Sequence, residues 1–338
     1  MESGYNLDMK VSESGEFGLI EMIAKTVGKT GGDTVLIGIG DDAACWRAEG
    51  LQLATTDTLI ENVHFDFKNI TWRELGWKSM AVNLSDIAAM GGRPRYALVS
   101  LGIPRDTEVE SVVDLYKGMI ELAKKFEVRI IGGDTVAAPV TAITLTIIGE
   151  AEDEDGMLKR SSAKPGNLIA VTGCFGASAA GLAMMQRKLT FDKKTETTLR
   201  EAHFKPTPRI NEGRTLVKYG VKAAIDVSDG LVGDLEKLCL SSGVGAKLYS
   251  DRIPIQPAVL KSFGNEAVKL ALTGGEDYEL IFTAPQKIVN VIKRELTCPV
   301  TVVGEIVKGK SVEVLDEDGN EFSWRSAGWD HFAKRKRV

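Results

Sequence analysis

Acidic residues recur in one kind of context along this 338-residue chain. Each stands in a turn rich in Gly, Ser or Thr at the end of an apolar strand, or inside an otherwise apolar helix. The set comprises Asp41 and Asp42 in GIGDDA, Asp57 in TTDT, Asp86 in NLSDIAAM, Asp134 in IGGDT, Asp226 and Asp229 in DVSDGL, and Glu276 and Asp277 in GGEDYEL. Neighbouring carboxylates repel each other and lose hydration when buried, so this set is typical of a site for hard cations.

Asp86 gives the clearest signal of the set. Its predicted helix is apolar on both sides, with AVNLS before it and IAAMGG after it, and no basic residue lies one helical turn away. A buried aspartate without a partner costs several kcal/mol. We therefore expect Asp86 to face a cation.

Magnesium together with a phosphate substrate would satisfy this pattern. Mg²⁺ takes carboxylate oxygens, keeps several waters and is completed by substrate phosphates, as in phosphoryl transfer. The glycines beside the acids let the backbone approach phosphate oxygens. The chain has only three histidines, His64, His203 and His331, and no C-x-x-C pair, which disfavours a multi-histidine or zinc-thiolate site.

For each acidic residue taken singly, an ordinary structural role is the competing interpretation. Aspartates form turns and cap helices, so Asp41 could be a turn residue and Asp229 the N-cap of the following helix. His64, in ENVHFDF, is either a half-buried polar residue at a strand end or, being close to Asp57, a substrate ligand. The recurrence of one context favours the functional interpretation.

GIGDDA also matches the G-x-G-x-x-A pattern of dinucleotide-binding turns, but its context argues against that function. The fingerprint requires the glycine turn to open a helix, whereas ACWRAEG leads into a second strand. The P-loop motif and the H-R-D and D-F-G motifs of protein kinases are absent from the sequence. A protein that moves phosphate with this sequence would use another scaffold.

Alternating strands and helices must position the acids of the first half. Apolar periodicity predicts a helix at residues 16–28, strands in TVLIGIG and LQLATTDTLI with a hairpin through RAEG, and a helix at 71–90 closed by Gly91 and Gly92. Asp106 is expected to open the amphipathic helix DTEVESVVDLYKGMIELAKKF. RYALVSLGI, VRIIGGDT and AITLTIIGEA are expected to be strands.

The polar stretch EDEDG at 152–156 predicts a domain boundary, which divides the chain into residues 1–150 and 151–338. The second half alternates again, with strands in NLIAVTG, AKLYSDRI, ELIFTA, VTVVGEI and VEVLD and helices in SAAGLAMMQRK, PRINEGRTLVKYG and GDLEKLCLSSG. The segment LTFDKKTETTLREAHFK is expected to be a charged linker. Both halves fit the α+β class, with helices layered on sheets.

Composition and charge exclude other classes of protein. The chain is 43% hydrophobic with a formal net charge of −5, which argues against a nucleic-acid partner despite the terminal KRKRV. No apolar run approaches the roughly 20 residues that span a bilayer, and MESGYNLDMK does not resemble a signal peptide, so no membrane partner is expected. Four widely spaced cysteines indicate reduced thiols, and we expect a cytoplasmic protein.

Taken in order, GEFGLI, GIGDDAA, TTDTLIENVHF, AVNLSDIAAMGG, IIGGDT, KRSSAKPGN, DVSDGL, LTGGEDYEL and GWDHF resemble the thiamine-monophosphate kinase family, within the superfamily of aminoimidazole ribonucleotide synthetase. The resemblance extends over residues 15–333. It implies ATP-dependent phosphorylation of thiamine monophosphate to thiamine diphosphate, by direct in-line transfer with several Mg²⁺ ions. It also implies a homodimer of two-domain α+β subunits. Residues 1–150 would bind ATP and Mg²⁺ and close a barrel with the second subunit, and residues 151–338 would form an α/β sandwich.

The resemblance implies roles for individual residues as well. Magnesium would be held by Asp42, Asp57, Asp86, Asp134, Asp226 and Asp229, with hydroxyl or main-chain oxygens of Thr55 and Thr56. ATP would contact Asp42, Thr55, Thr56, Gly133, Asp134, Arg160 and Ser228. Thiamine monophosphate would contact His64, Glu276 and Trp329. The family usually has tyrosine where this chain has Trp329, so an aromatic face is kept but a hydroxyl is lost.

The acceptor in this reaction is already an ionised phosphate oxygen, so we assign no general base. Magnesium ions held by aspartates of both domains would neutralise the phosphates that otherwise repel each other. Aminoimidazole ribonucleotide synthetase remains an alternative on fold alone, and a non-catalytic divalent-cation binder is the alternative from another class. Selenophosphate synthetase is disfavoured because the first cysteine is Cys45, and the hydrogenase-maturation relative because the chain ends in KRKRV.

Overall fold

The structure is a computed structural model that describes residues 9–28, 34–37, 39, 44–48, 50–152 and 156–322. It divides into two compact units, Met1–Gly156 and Met157–Val338. In the part of the chain that is described, no helix has both the length and the apolar character needed to cross a membrane. Cys45, Cys174, Cys239 and Cys298 all carry free thiols.

The described part of the N-terminal unit contains three α-helices and six strands. The helices are α1 (Val11–Val27), α2 (Trp72–Ala89) and α3 (Val109–Lys125). The strands are β1 (Val35–Ile37), β2 (Cys45–Trp46), β3 (Leu51–Ile60), β4 (Arg93–Ile103), β5 (Arg129–Ala137) and β6 (Ala142–Ala151).

Four of these strands form a mixed sheet in the order β3-β6-β4-β5, with β4 and β5 parallel and the other pairs antiparallel. Side chains alternate between two faces along a strand, so Ile143, Leu145 and Ile147 of β6 are buried on one face. Helix α2 packs on that face. The helix begins with a capping box, in which Thr71 Oγ1 accepts from Glu74 N and Glu74 Oε2 accepts from Thr71 N.

Helices α2 and α3 touch through a pair of glycines. A Cβ atom on Gly76 would lie 1.9 Å from the carbonyl oxygen of Leu115, and one on Gly118 would lie 1.9 Å from that of Arg73. Neither position can hold a side chain unless the helices separate. The two glycines therefore fix how closely α2 approaches α3.

Among the described residues, the hairpin expected through RAEG does not appear. Strand β2 pairs with β1 instead, and β3 pairs with β6 along its whole length. The ring of partly buried Trp46 packs at a tilt against that of Tyr96 of β4, with centroids 5.5 Å apart, so this aromatic contact accompanies the β1–β2 pairing. Strands β2 and β3 therefore belong to two different sheets.

The described part of the C-terminal unit contains six strands and seven α-helices. The strands are β7 (Leu168–Thr172), β8 (Ala223–Asp226), β9 (Gly245–Tyr249), β10 (Leu280–Ala284), β11 (Val300–Val307) and β12 (Val312–Leu315). The helices are α4 (Ala177–Arg187), α5 (Lys193–Phe204), α6 (Ile210–Lys218), α7 (Leu231–Ser242), α8 (Pro257–Phe263), α9 (Ala267–Thr273) and α10 (Gln286–Glu295).

The six strands form one sheet in the order β12-β9-β11-β7-β10-β8, in which only the β12–β9 pair is parallel. Ile169, Val171, Ile225 and Ile281 are buried in its main hydrophobic core, together with side chains of α7. Phe175 and Phe282 are completely buried. Neither multi-stranded sheet closes on itself, and each unit has the expected α+β organisation.

The segment expected to be a charged linker contains helix α5. Between its charged residues, Thr195, Leu199 and His203 recur at helical spacing and form a buried face. Asp192 caps the helix by accepting from Thr195 N. A second expectation, that Asp106 opens α3, was also wrong: the N-cap is Glu108, because the preceding backbone bonds to the start of α1 through Thr107 O and Val11 N.

Candidate functional site

Two predicted magnesium ligands of the N-terminal unit, Asp57 and Asp86, lie side by side. Asp57 of β3 is in register with buried Leu145, so its side chain points to the sheet face that α2 covers. The carboxyls of Asp57 and Asp86 are close enough to interact. Lost hydration, the charge of Asp86 and the scope for sharing a proton with it raise the pKa of Asp57 to about 6.

Thr55 completes this group, whereas the side chain of Thr56 does not join it. Thr55 Oγ1 donates to Asp86 Oδ2 at 2.5 Å. The side chain of Thr56 points to the other face of the sheet, where its hydroxyl donates to Leu145 O and accepts from Thr146 Oγ1. Only main-chain atoms of Thr56 are available on the side of Asp57.

Asp134 is not brought to this pair. It lies on β5 in a cross-sheet row with Ser100, Thr144 and Thr58, three strand spacings or about 14 Å from β3. Asp134 is exposed, and its Oδ1 accepts from Thr135 N at 2.9 Å. Gly133 beside it is required by packing, because a Cβ there would lie 1.9 Å from Val99 O.

His64 is held at the end of β3 in a defined tautomer. Its Nδ1 accepts from the backbone N–H of Ile60 at 3.0 Å, so the proton of the neutral ring is on Nε2. That Nε2–H group can donate to a phosphate or carbonyl oxygen. Three other predicted positions, Asp41, Asp42 and Trp329, lie outside the described residues.

In the C-terminal unit, the loop after β8 is organised by a carboxylate that the sequence reasoning missed. Asp226 is buried at the end of the strand, and Ser228 and Asp229 follow in the loop. Asp234 Oδ2 accepts from the backbone N–H groups of Ser228, Asp229 and Gly230 at 2.9, 2.9 and 3.2 Å. Burial raises the pKa of Asp234, against the lowering effect of the Lys237 ammonium group.

Lys237 bridges this loop and helix α7. Its Nζ lies 2.7 Å from Asp234 Oδ1 and 2.5 Å from Asp229 Oδ2. The predicted magnesium ligand Asp229 therefore already shares a cation with a second carboxylate. The spacing of Asp234 and Lys237, three residues apart on a helix, was the sequence signal for this pair.

The three acids of GGEDYEL have three different environments. Glu276 has a left-handed backbone, with φ 65°, and its carboxylate lies 3.3 Å from Nδ1 of buried His203. Asp277 accepts from the N–H groups of Gly176 and Ser178 at the start of α4, and burial together with neighbouring carboxylates raises its pKa to about 7.

Glu279, the third acid, forms a buried ion pair with Arg209. The guanidinium binds it through Nε and Nη2, and Thr172 Oγ1 donates to Glu279 Oε2 at 2.6 Å. This pair ties the residue before α6 to the residue before β10.

Arg160, a predicted ATP contact, lies in an exposed helical turn. A hydrogen bond that Ser242 Oγ donates to Arg160 O at 2.6 Å holds this turn in place.

The donor chemistry at these positions fits Mg²⁺. The Asp57–Asp86 pair offers hard oxygen ligands that repel each other in the absence of a cation, and Thr55 adds a hydroxyl. Lys237 already places a positive charge beside Asp229. Within the described ranges, three or more His, Cys, Asp or Glu side chains do not come together in an arrangement able to hold a metal ion.

Sequence comparisons place this chain in a known family. The model "AIR synthase related protein, N-terminal domain" matches residues 40–151, and its C-terminal counterpart matches residues 164–317. The thiamine-monophosphate kinase of Bacillus subtilis is 37% identical over 94% of this chain and 99% of its own. That of Aquifex aeolicus is 34% identical over 96% and 100%. The chain belongs to the thiamine-monophosphate kinase family.

Solved structures of the family share its fold. Thiamine-monophosphate kinase from Stenotrophomonas maltophilia superposes with a TM-score of 0.81, at 34% identity over 91% of this chain and 98% of that chain. AaThiL complexed with AMPPCP and TMP gives a TM-score of 0.76 at 34% identity, over 96% and 99%. Both confirm the two-domain α+β architecture expected from the motifs.

Proposed function

We propose that this chain transfers the γ-phosphoryl group of ATP to thiamine monophosphate and releases thiamine diphosphate and ADP. The observation that carries this proposal is the nearly full-length similarity to thiamine-monophosphate kinases, including AaThiL complexed with AMPPCP and TMP. The carboxylate groups of the two units supply the hard-oxygen chemistry that a phosphoryl transfer with magnesium requires.

The protein contributes positioning and charge. The attacking atom is an ionised phosphate oxygen of thiamine monophosphate, so no side chain has to remove a proton. Bound Mg²⁺ would neutralise the charge on the donor and acceptor phosphates. We assign it to oxygens of Thr55, Thr56, Asp42, Asp57, Asp86, Asp134, Asp226 and Asp229, on the motifs that this chain shares with the family.

Substrate contacts follow from the same motifs and from the local geometry. Nε2–H of His64 can donate to a phosphate or carbonyl oxygen of thiamine monophosphate. The partly exposed carboxylate of Glu276 can attract the cationic thiazolium ring or accept from the aminopyrimidine. Trp329 would add an aromatic face. ATP is assigned to Asp42, Thr55, Thr56, Gly133, Asp134, Arg160 and Ser228.

Dimerisation through the N-terminal sheet is part of the proposal, with residues 1–150 as the ATP-binding and dimerisation domain and residues 151–338 as the second domain. Strands β3 and β5 are the two ends of the four-stranded sheet, and Val136 on β5 is half exposed. Pairing with a second copy would cover such edges in a closed barrel. Light scattering would then give twice the 36.6 kDa of one chain. The cytoplasmic location remains a prediction from the sequence.

The deciding experiment mixes the purified chain with ATP, MgCl₂ and thiamine monophosphate. Chromatography should detect thiamine diphosphate and ADP in equal amounts, and EDTA should abolish both. ADP without thiamine diphosphate would indicate another acceptor. Absence of both products from protein that binds ATP would overturn the proposal.

A further inference from the structure

The loop that carries Ser228 and Asp229 is shaped from inside the protein. The side chain of Asp234 is 1% exposed, and one of its oxygens accepts from three consecutive backbone N–H groups, those of residues 228–230. These donors are therefore occupied by the protein's own carboxylate and are not directed at a ligand. The loop presents side chains, chiefly that of Asp229, from a fixed backbone.

The second oxygen of Asp234 holds Lys237, and Lys237 in turn reaches Asp229. The ammonium nitrogen lies 2.7 Å from Asp234 Oδ1 and 2.5 Å from Asp229 Oδ2. The side chains of Lys237 and Asp229 are 43% and 40% exposed, so this contact is open to solvent and to ions, whereas the contact to Asp234 is buried on the aspartate side. The contact between Lys237 and Asp234 is therefore fixed, whereas an ion from solvent can replace Lys237 in its contact with Asp229.

We infer that Lys237 is a positioning residue that occupies the cation position beside Asp229 until a divalent ion replaces it, while Asp234 retains the displaced ammonium group. The inference rests on the proposed function, which assigns Asp229 to Mg²⁺. Without its own cation, the Asp229 carboxylate would lie next to Asp234 uncompensated. With Lys237 in place, the loop keeps one geometry before and after metal binding, at the cost of direct competition between Lys237 and the metal.

Competition of this kind gives a measurable signature in the binding of Mn²⁺, a paramagnetic substitute for Mg²⁺. Free Mn²⁺ is measured by electron paramagnetic resonance against the full-length protein without nucleotide. The sites of interest are those that Asp229→Asn weakens. At these sites, Lys237→Met should bind Mn²⁺ about two- to five-fold more tightly than the wild type, the range expected when a partly exposed ion pair is removed.

Three further variants make the result specific. Lys237→Arg restores a cation and should bind Mn²⁺ no more tightly than the wild type. Lys261→Met removes the same charge from an exposed ion pair with Asp192, where Nζ and Oδ2 are 3.2 Å apart, and should leave Mn²⁺ binding unchanged. In the Asp229→Asn background, Lys237→Met should have no further effect, because the carboxylate for which Lys237 and the metal compete is gone.

The possible failures are distinguishable. If Asp229→Asn weakens Mn²⁺ binding but Lys237→Met leaves it unchanged or weaker, the inference is wrong and the metal assignment stands. A Lys237→Met effect that persists without Asp229 would also overturn the inference, since it would reflect a long-range change in charge. If Asp229→Asn leaves Mn²⁺ binding unaltered, the assignment of Asp229 to the metal fails, and the inference fails with it, whereas the kinase assay tests the reaction separately.

Discussion

The carboxyl groups of Asp57, on strand β3, and Asp86, on helix α2, lie close enough for their charges to interact. Such a contact requires a proton or a cation between two groups that would otherwise repel each other. Thr55, which lies on β3 like Asp57, donates a 2.5 Å hydrogen bond to Asp86. The arrangement is costly for a protein without metal and useful for one that binds Mg²⁺.

Replacing Asp57 should therefore separate activity from stability. We expect Asp57→Asn to lower kcat at saturating Mg²⁺ by about 100-fold, as when one preorganised charge partner of a transferring group is lost. The melting temperature in EDTA should be equal to or above that of the wild type, because the amide removes the repulsion. Asp114→Asn, which breaks an exposed ion pair with Lys117, is the control and should alter neither quantity. Near-normal turnover of Asp57→Asn would rule out this metal assignment.

The sequence predicted the Asp57–Asp86 pair better than it predicted which other acidic residues lie near it. Asp86 stood out as an acid inside an apolar helix whose end was marked by Gly91 and Gly92, and α2 ends at Ala89 as the stop signal requires. Asp134 was also assigned to one of several magnesium ions, and the strand order β3-β6-β4-β5 places it three strand positions away from Asp57. Strand order depends on long-range pairing, which periodicity along one strand does not encode.

The second unit shows a different limit of sequence reasoning. Helix α5 was hidden because five of its twelve residues are charged and its buried face, which includes Leu199 and His203, is defined by packing against α4. Its contribution to the candidate site, the contact from His203 to Glu276, depends on that packing. Asp234 was missed because it acts on the backbone of a preceding loop, a role that residue type alone does not indicate.

The Gly76–Gly118 contact predicts a large steric penalty for a small change. We expect Gly76→Ala and Gly118→Ala each to destabilise the protein by about 1–3 kcal/mol, since a methyl group would be forced onto the backbone of the facing helix. Gly233→Ala in α7 is the matched control, because nothing lies within 4 Å of its Cβ position. That variant should gain up to about 1 kcal/mol from helix propensity. Urea unfolding measures all three, and equal stability of the Gly76 and Gly233 variants would contradict the close helix contact.

Asp277 should make stability depend on pH near neutrality. Its pKa of about 7 in the folded protein lies above the ordinary 3.8, so the folded state keeps a proton that the unfolded state has lost. The stability that this proton supplies is lost as pH rises through 7. Between pH 5 and pH 8, the melting temperature of the wild type should fall relative to Asp277→Asn by at least about 2 °C, the shift that roughly 1 kcal/mol gives in a domain of this size.

The control for this prediction is Asp192, whose pKa is lowered to about 2 by hydrogen bonds from Thr195 and Lys261. Its stabilising effect is lost only in acid, below the range of the experiment. Asp192→Asn should therefore shift the melting curve by the same amount at pH 5 and pH 8. Parallel curves for the wild type and Asp277→Asn would show that Asp277 is ionised throughout.

Glu276 gives the prediction that bears most directly on substrate choice. Its left-handed backbone and its contact with His203 direct a carboxylate that is 30% exposed, an arrangement suited to a cationic or hydrogen-bond-donating ligand. Thiamine monophosphate has both properties, whereas the phosphates of ATP would be repelled. We expect Glu276→Gln to raise the KM for thiamine monophosphate about 10- to 100-fold, the loss of a charged hydrogen bond, with the KM for ATP changed less than about two-fold. Glu266→Gln, which breaks an exposed ion pair with Arg187, should change neither KM. An equal rise in both KM values for Glu276→Gln would mean that the residue supports the fold of the unit and does not select the acceptor.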